Sequence, residues 1–104
     1  MSTTREQILE ALFESITALN EQRGPHQQLS PAADTPLGEK SGLDSLGFVN
    51  LVAIVEEKCQ ERFHKSLVLT DAAAKSDTRD PFESVGTLAE YIELALAGNT
   101  GAWR

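Results

Sequence analysis

The sequence predicts an all-α fold, and three observations favour it. Apolar residues recur at helical spacing in three long segments, about 4–22, 45–62 and 87–97. Each segment begins at a residue that caps helices well, and glycine follows the first and the last of them. Outside these segments, the apolar run Leu67-Val68-Leu69 is too short to support a sheet. With 104 residues, 40% of them hydrophobic, we expect one domain over 1–104 with one modest core.

The first helix is predicted over about 4–22 and is followed by an unusually long loop. The helix has an apolar face, formed by Ile8, Leu12, Ile16 and Leu19. Gly24-Pro25 ends it, and the loop then runs for 20 residues to Leu43, with three prolines and three glycines. A loop of this length in a compact domain usually has a function or packs across the fold. We expect Leu29 and Leu37 to anchor it on the core.

The second helix, about 45–62, carries two separate apolar faces. At about 100° per residue, one group clusters near 300° from Ser45 and predicts the core face. Its members are Phe48, Leu51, Val52, Val55 and Cys59. A second group, Leu46, Val49 and Ala53, lies about 135° away and cannot enter the same seam. We call this second group the apolar strip and predict that a partner protein binds it.

The remaining chain is predicted to hold a short third helix and a well-defined last helix. Thr70-Asp71 favours a cap for a short helix over about 71–76, and Pro81-Phe82 is expected to place an aromatic ring on the bundle. Thr87 with Glu90 predicts a capping box that opens the last helix, about 87–97. Its expected buried face is Leu88, Tyr91, Ile92, Ala95 and Leu96. We expect residues 98–104 to form a frayed tail.

The composition excludes several classes of function. Sixteen acidic and nine basic residues give a formal charge of −7, which opposes binding to nucleic acid and to anionic membranes. No stretch approaches the roughly 20 apolar residues of a membrane span. The single cysteine, Cys59, permits no internal disulfide and favours a reducing compartment. We therefore expect a cytoplasmic protein, acting as a monomer.

Ser45 stands at the start of the second helix with nothing nearby to activate it. A nucleophilic serine needs a base within hydrogen-bond reach and a group that orients that base. His26 lies in the loop, and His64 lies beyond the far end of the helix. No spacing typical of a metal site occurs either. Asp44 can cap the helix, which leaves the Ser45 hydroxyl for modification by another protein, so we expect a non-enzyme.

The stretch Gly42-Leu43-Asp44-Ser45-Leu46, followed by an apolar helix that reaches Glu56-Glu57, resembles the modification site of acyl carrier proteins. The resemblance implies a four-helix bundle with a long first loop and a short third helix. It also implies that Ser45 receives 4′-phosphopantetheine from coenzyme A, whose thiol then carries acyl groups as thioesters. Asp44 would be recognised by the phosphopantetheinyl transferase. Acyl-loading and acyl-using enzymes would bind Leu46, Val49, Ala53, Glu56 and Glu57.

Two departures from the family pattern concern the second helix and the segment after it. The best-known carriers are rich in carboxylates along this helix, whereas here Gly47, Asn50 and Ala53 occupy outward positions. The segment 63–86 is also several residues longer than in bacterial fatty-acid carriers. A freestanding acyl carrier for fatty acid or polyketide biosynthesis with a dedicated partner is the main hypothesis. The alternatives are a peptidyl or aminoacyl carrier, and a helical interaction protein that is never modified.

Overall fold

The computed structural model describes residues 5–24, 28–37, 41–65, 69 and 80–98. Three helices form within these residues: α1 (Arg5–Asn20), α2 (Ser45–Phe63) and α3 (Val85–Leu96). The described part of the chain contains no strand, which agrees with the predicted all-α fold. The short helix predicted over 71–76, and residues 99–104 of the predicted tail, lie outside the described residues. The first helix packs against both others.

α1 buries the apolar face that its spacing predicts. The residues of that face are almost completely inaccessible to solvent: Ile8, Ala11, Leu12, Ile16 and Leu19. Ser15 is buried among them, and its hydroxyl donates a hydrogen bond to the Ala11 carbonyl oxygen at 2.8 Å, which satisfies the polar group inside the core. The helix ends at Asn20, two residues before the predicted end, because the following residues tighten into a turn.

The long loop is anchored by Leu29 and Leu37, as predicted, and both side chains are buried. Asn20 holds its start through two hydrogen bonds with one residue. The Asn20 Nδ2 donates to the Leu29 carbonyl oxygen at 2.8 Å, and the Leu29 N–H donates to Asn20 Oδ1 at 2.9 Å. A side-chain amide thereby satisfies both backbone groups of a buried loop residue. This pairing explains how a loop with little regular structure stays against the core.

The same loop also determines where α3 begins. The Val85 N–H donates to the Thr35 carbonyl oxygen at 2.9 Å, and the Gly86 N–H donates to the Ala33 carbonyl oxygen at 2.7 Å. These are two of the N–H groups that a helix start leaves without an internal partner. A Cβ at position 86 would lie 3.2 Å from the Ala33 oxygen, so the close approach of the loop favours glycine there.

The predicted start of the last helix at Thr87 is wrong, because the helix begins two residues earlier. Ser84 is the N-cap, with extended backbone angles, and its Oγ accepts a hydrogen bond from the Thr87 N–H at 3.2 Å. Thr87 therefore lies in the first turn and does not cap it. The loop carbonyls that accept from Val85 and Gly86 stabilise this earlier start. At the other end, Gly98 adopts a positive φ of 73° just after the helix, as an αL glycine commonly does.

The core closes between α1, α2, α3 and the segment that precedes α3. Phe82 is buried, as predicted, and its ring meets Phe48 edge-to-face with centroids 4.9 Å apart. From α3 the buried residues are Val85, Leu88, Ala89, Ile92 and Leu96. Of the predicted α3 face, Tyr91 and Ala95 are only half-buried, because they lie at its edges. Leu69 is buried too.

Replacing Asn20 with alanine should destabilise the fold through the loop. The change removes both hydrogen bonds to Leu29 and leaves that residue's N–H and carbonyl groups unsatisfied in a mostly buried position. We expect a loss of about 1–3 kcal/mol in the free energy of unfolding, measured by urea denaturation. Gln22→Ala is the control and should change stability by less than about 0.5 kcal/mol, since Gln22 is exposed. Equal stability of the two variants would contradict this role of Asn20.

Candidate functional site

Ser45 is the first residue of α2, and a short turn leads the chain to it. Gly42 adopts a positive φ of 82°, which glycine tolerates far better than other residues. The Leu43 N–H donates to Ser41 Oγ at 3.1 Å, and the Leu43 side chain packs against the core. The chain thus enters α2 from an anchored leucine, and the two residues that follow are exposed.

Asp44 is the N-cap of α2, as predicted. Its backbone is extended, with φ −77° and ψ 177°, and its Oδ1 accepts a hydrogen bond from the Gly47 N–H at 2.7 Å. Its carbonyl oxygen accepts the first helical bond, from the Phe48 N–H, at 2.9 Å. The capping function is therefore complete without Ser45. Among the described residues, the Ser45 hydroxyl has no hydrogen-bond partner, and its side chain is exposed.

The structure brings no activating base to Ser45 in the part of the chain that it describes. His64 follows the last residue of α2, where it adopts αL angles and caps the helix by donating its N–H to the Gln60 carbonyl oxygen. At 1.5 Å per residue, the length of α2 separates it from Ser45 by roughly 28 Å. His26 lies outside the described residues. The described residues thus place no histidine near the Ser45 hydroxyl.

The apolar strip lies on the outer surface of α2, beside Ser45. Leu46 is 69% exposed and Val49 is 58% exposed, and they are the two large hydrophobic residues most accessible to solvent in the described chain. Ala53 is exposed as well. None of the described loop residues covers the strip. Contiguous exposed apolar surfaces are unusual on small domains and often mark interaction sites. The apolar strip is therefore a candidate interaction surface.

The two glutamates predicted at the partner surface differ in their surroundings. Glu57 is exposed. Glu56 is half-buried, and its Oε2 accepts a hydrogen bond from the Leu69 N–H at 2.7 Å. One carboxylate oxygen of Glu56 therefore holds the chain after α2 in place, and Glu57 offers the freer charge at this end of the surface.

Cys59 lies on the buried face of α2. Its side chain is completely inaccessible, in agreement with its predicted place on the core face. Burial, and secondarily the negative charge of Glu56, raise the pKa of the Cys59 thiol to about 12. At neutral pH almost none of it is thiolate, the form that attacks and forms thioesters. The cysteine therefore contributes packing, and acyl chemistry cannot start from it.

Arg23 is a neighbour of this site that the sequence does not reveal. A Cβ at position 47 would lie 2.8 Å from Arg23 Nη1 and 3.1 Å from Asp44 Oδ1. The guanidinium group of a residue just after α1 therefore rests on the first turn of α2. The one sequence feature that hints at this contact is Gly47 itself, because glycine disfavours helices by roughly 1 kcal/mol relative to alanine.

Two further features bear on what the site can do. Within the described ranges, no group of three or more His, Cys, Asp or Glu side chains is arranged to hold a metal ion. No described helix combines the length and the apolar character needed to cross a membrane.

No protein-family model, curated protein or solved structure matches this chain.

Two substitutions distinguish the contribution of the Asp44 cap to stability from the contribution of its charge. Asp44→Ala removes the acceptor for the Gly47 N–H and should lower the free energy of unfolding by about 0.5–2 kcal/mol. Asp44→Asn keeps a good capping side chain and should stay within about 0.5 kcal/mol of the wild type. Urea denaturation of the three proteins checks both values. If Asp44→Asn loses as much stability as Asp44→Ala, the charge, and not the cap, stabilises the helix.

Proposed function

We propose that this chain is a carrier protein, in which Ser45 receives a 4′-phosphopantetheine arm and the arm's thiol carries acyl groups as thioesters between enzymes. One observation carries the proposal: an exposed serine hydroxyl at the first position of α2, released from capping by Asp44 and bordered by an exposed apolar strip. The resemblance of residues 42–57 to the modification site of acyl carrier proteins supports the same function.

The start of α2 suits a phosphodiester on Ser45. Asp44 accepts from the Gly47 N–H, and Phe48 makes the first helical hydrogen bond. The backbone N–H groups of Ser45 and Leu46 precede that first bond and have no partner among the described residues. Such orphan donors, together with the helix dipole, favour an anionic group at this position. Ser45 would hold the arm covalently, and the first-turn N–H groups would favour its negative charge.

The arm would supply an accessible thiol, which the buried Cys59 does not provide. Cys59 is buried and its thiol pKa is raised to about 12, so it offers almost no thiolate at neutral pH, and a thioester on this chain would use a sulfur from elsewhere. In the loading reaction the Ser45 oxygen would form a bond to phosphorus while the pyrophosphate bond of coenzyme A breaks. Adenosine 3′,5′-bisphosphate would leave, and the serine proton would pass to a base of the transferase. The protein's own contribution is presentation and recognition.

The apolar strip is the surface that a partner would use. Docking enzymes need to approach Ser45, and Leu46 and Val49 lie next to it and are exposed. With Asn50 and Ala53 the outward face has no charge between Asp44 and Glu56. A partner with an apolar surface fits this face better than one that binds carboxylates with a basic groove. This difference favours dedicated partners over a general fatty-acid synthase.

The proposal covers more than one class of carrier. A peptidyl or aminoacyl carrier would use Ser45 in the same way and would differ only in its partner enzymes. The exposed strip also supports a second candidate function, a helical interaction protein that binds a partner through Leu46 and Val49 and is never modified. Modification of Ser45 distinguishes the second candidate from both kinds of carrier.

Intact mass spectrometry after co-expression with a broad-specificity phosphopantetheinyl transferase tests the proposal. The wild type and Ser41→Ala should each gain the mass of one phosphopantetheinyl group, whereas Ser45→Ala should gain none and fold normally. A thiol-reactive dye should label the folded loaded protein once and the folded unloaded protein not at all, because Cys59 is buried. No mass gain on the wild type, or a gain on Ser45→Ala, would refute the proposal.

Asp44→Asn should load more slowly than the wild type although its cap is intact. In the wild type, the Asp44 carboxylate directly precedes the target serine, where a basic surface of the transferase would bind it. The variant lacks this charge. The measurement is the initial rate of loading, compared at equal folded fraction. Unchanged kinetics would limit Asp44 to its capping role.

Val49→Glu should impair partner reactions while the fold persists. A carboxylate in an interface built on the apolar strip would be desolvated without a partner, and about 1.4 kcal/mol already lowers turnover tenfold. Because Val49 is 58% exposed, thermal stability should change by only a few degrees. Val55→Glu is the matched control: Val55 is buried, so the same change there should unfold the protein. Normal partner turnover with Val49→Glu would move the docking surface elsewhere, toward Glu57.

A further inference from the structure

In the described part of the chain, only the backbone holds the Ser45 hydroxyl in place. The side chain is exposed, and its oxygen makes no hydrogen bond with any described residue. The position of this oxygen is therefore set by the backbone at the start of α2. Asp44 fixes that start through its cap. A second residue, Leu43, acts on it as well.

Leu43 directly precedes the N-cap of α2, and its side chain folds back over the first turn of the helix. Leu43 Cδ2 lies 3.3 Å from the point where a Cβ at position 47 would be. The chain turns just before this residue, at Gly42, and the Leu43 N–H donates to Ser41 Oγ. The Leu43 side chain therefore packs against the same turn of helix that carries Ser45.

Leu43 and Phe48 occupy the two positions of a hydrophobic staple. In such a staple the residue before the N-cap and the fourth residue of the helix fix the angle at which the chain enters the helix. Both side chains are half-buried and pack against the core. The Phe48 ring also meets the buried Phe82 ring edge-to-face. The core thus holds the chain on both sides of Ser45, one anchor before it and one after it.

We propose that Leu43 is a positioning residue of the loading reaction, which fixes the Ser45 oxygen relative to the apolar strip on which the transferase docks. The inference rests on the proposed function. In loading, this oxygen bonds to the phosphorus of coenzyme A as adenosine 3′,5′-bisphosphate leaves, and a misplacement of about 1 Å can lower such a rate on the order of 10²-fold. Leu43 does not touch the reacting atoms and acts through the backbone of the first turn.

A leucine that only adds to overall stability predicts a different result. Its loss would lower the fraction of folded protein, and the molecules that stay folded would be loaded at the wild-type rate. A leucine that positions Ser45 changes the folded molecules themselves. Its loss lowers kcat for loading in those molecules, and KM stays the same because the apolar strip is intact.

Loading kinetics compare the wild type with two variants of Leu43, at a temperature at which all three proteins are folded. We expect Leu43→Ala to lower kcat about tenfold or more and to change KM by less than about twofold. Leu43→Met should keep most of the rate, because methionine fills a similar volume and can anchor the same turn.

Leu96→Ala is the matched control. Leu96 is a buried leucine at the end of α3, and its carbonyl oxygen accepts a hydrogen bond from Lys65 Nζ, at the far end of α2 from Ser45. Its truncation should destabilise the protein, since it is more buried than Leu43. It should nevertheless change kcat for loading by less than about twofold, because the start of α2 is distant.

Amide hydrogen exchange of the unloaded protein gives a readout that needs no transferase. The N–H groups of Gly47 and Phe48 donate to the Asp44 side chain and carbonyl oxygen, the first bonds of α2. Leu43→Ala should speed their exchange about tenfold or more relative to that of the Val55 N–H in the middle of the helix, because the helix start opens locally. Leu96→Ala should leave this ratio unchanged.

Wild-type kcat in folded Leu43→Ala, or an equal fall of kcat in Leu96→Ala, would overturn the positioning role and leave the proposed function standing. Exchange at Gly47 and Phe48 that is as slow in Leu43→Ala as in the wild type would also overturn it. Failure of the wild type to gain mass would overturn both the proposed function and the role of Leu43.

Discussion

The hydrogen bond from the Gly47 N–H to the Asp44 carboxylate is the interaction on which the candidate site depends. It fixes the first residue of α2 and makes Ser45 a residue without a structural task. Had the cap been one residue later, the Ser45 oxygen would accept a backbone N–H and would be engaged inside the helix start. Because Asp44 provides the cap, the Ser45 hydroxyl makes no capping hydrogen bond and stays exposed. The residues of α2 that follow form its surroundings. The inner face of the helix packs into the core, and its outer face presents Leu46 and Val49.

The loop that precedes this helix start is held by polar contacts as well as by burial. Asn20 pairs with both backbone groups of Leu29, and the carbonyl groups of Ala33 and Thr35 accept from the start of α3. The loop therefore contacts the end of one helix and the start of another before the chain reaches α2. In a small helical domain such contacts help to hold a loop in one position, because each of them satisfies a backbone group that would otherwise lack a hydrogen-bond partner.

The core faces of the helices could be predicted from the sequence because helical periodicity is local. Leu51, Val52, Val55 and Cys59 are buried as their angular positions require, and Leu46 and Val49 are exposed for the same reason. The Asp44 cap was also predictable, because capping depends on neighbours within three residues. Helix boundaries that depend on distant residues were not. Thr87 with Glu90 matches a capping box better than Ser84 with Thr87 does, but loop carbonyls support the earlier start.

The contacts of Arg23 and Glu56 could not be predicted, for a related reason. Each joins residues from different parts of the chain: Arg23 rests on Gly47, and the Glu56 carboxylate accepts from the Leu69 N–H. Helical periodicity in the sequence does not indicate which distant residues pair. Only the glycine inside α2, Gly47, hints at the contact with Arg23. Long-range polar contacts therefore add to α2 what its local sequence does not show: a guanidinium group against its first turn, and a glutamate that accepts a hydrogen bond from the segment after the helix.

The central claim is that Ser45 carries a phosphopantetheine arm in the living cell, and the most direct measurement is the mass of the protein as its own cells make it. The chain is purified without any added transferase, weighed intact, and digested so that the peptide containing Ser45 can be fragmented. We expect a population heavier by one phosphopantetheinyl group, with the added mass on Ser45 and on no other residue. A protein whose Ser45 peptide has only its unmodified mass, under conditions in which the chain is expressed and folded, would contradict it.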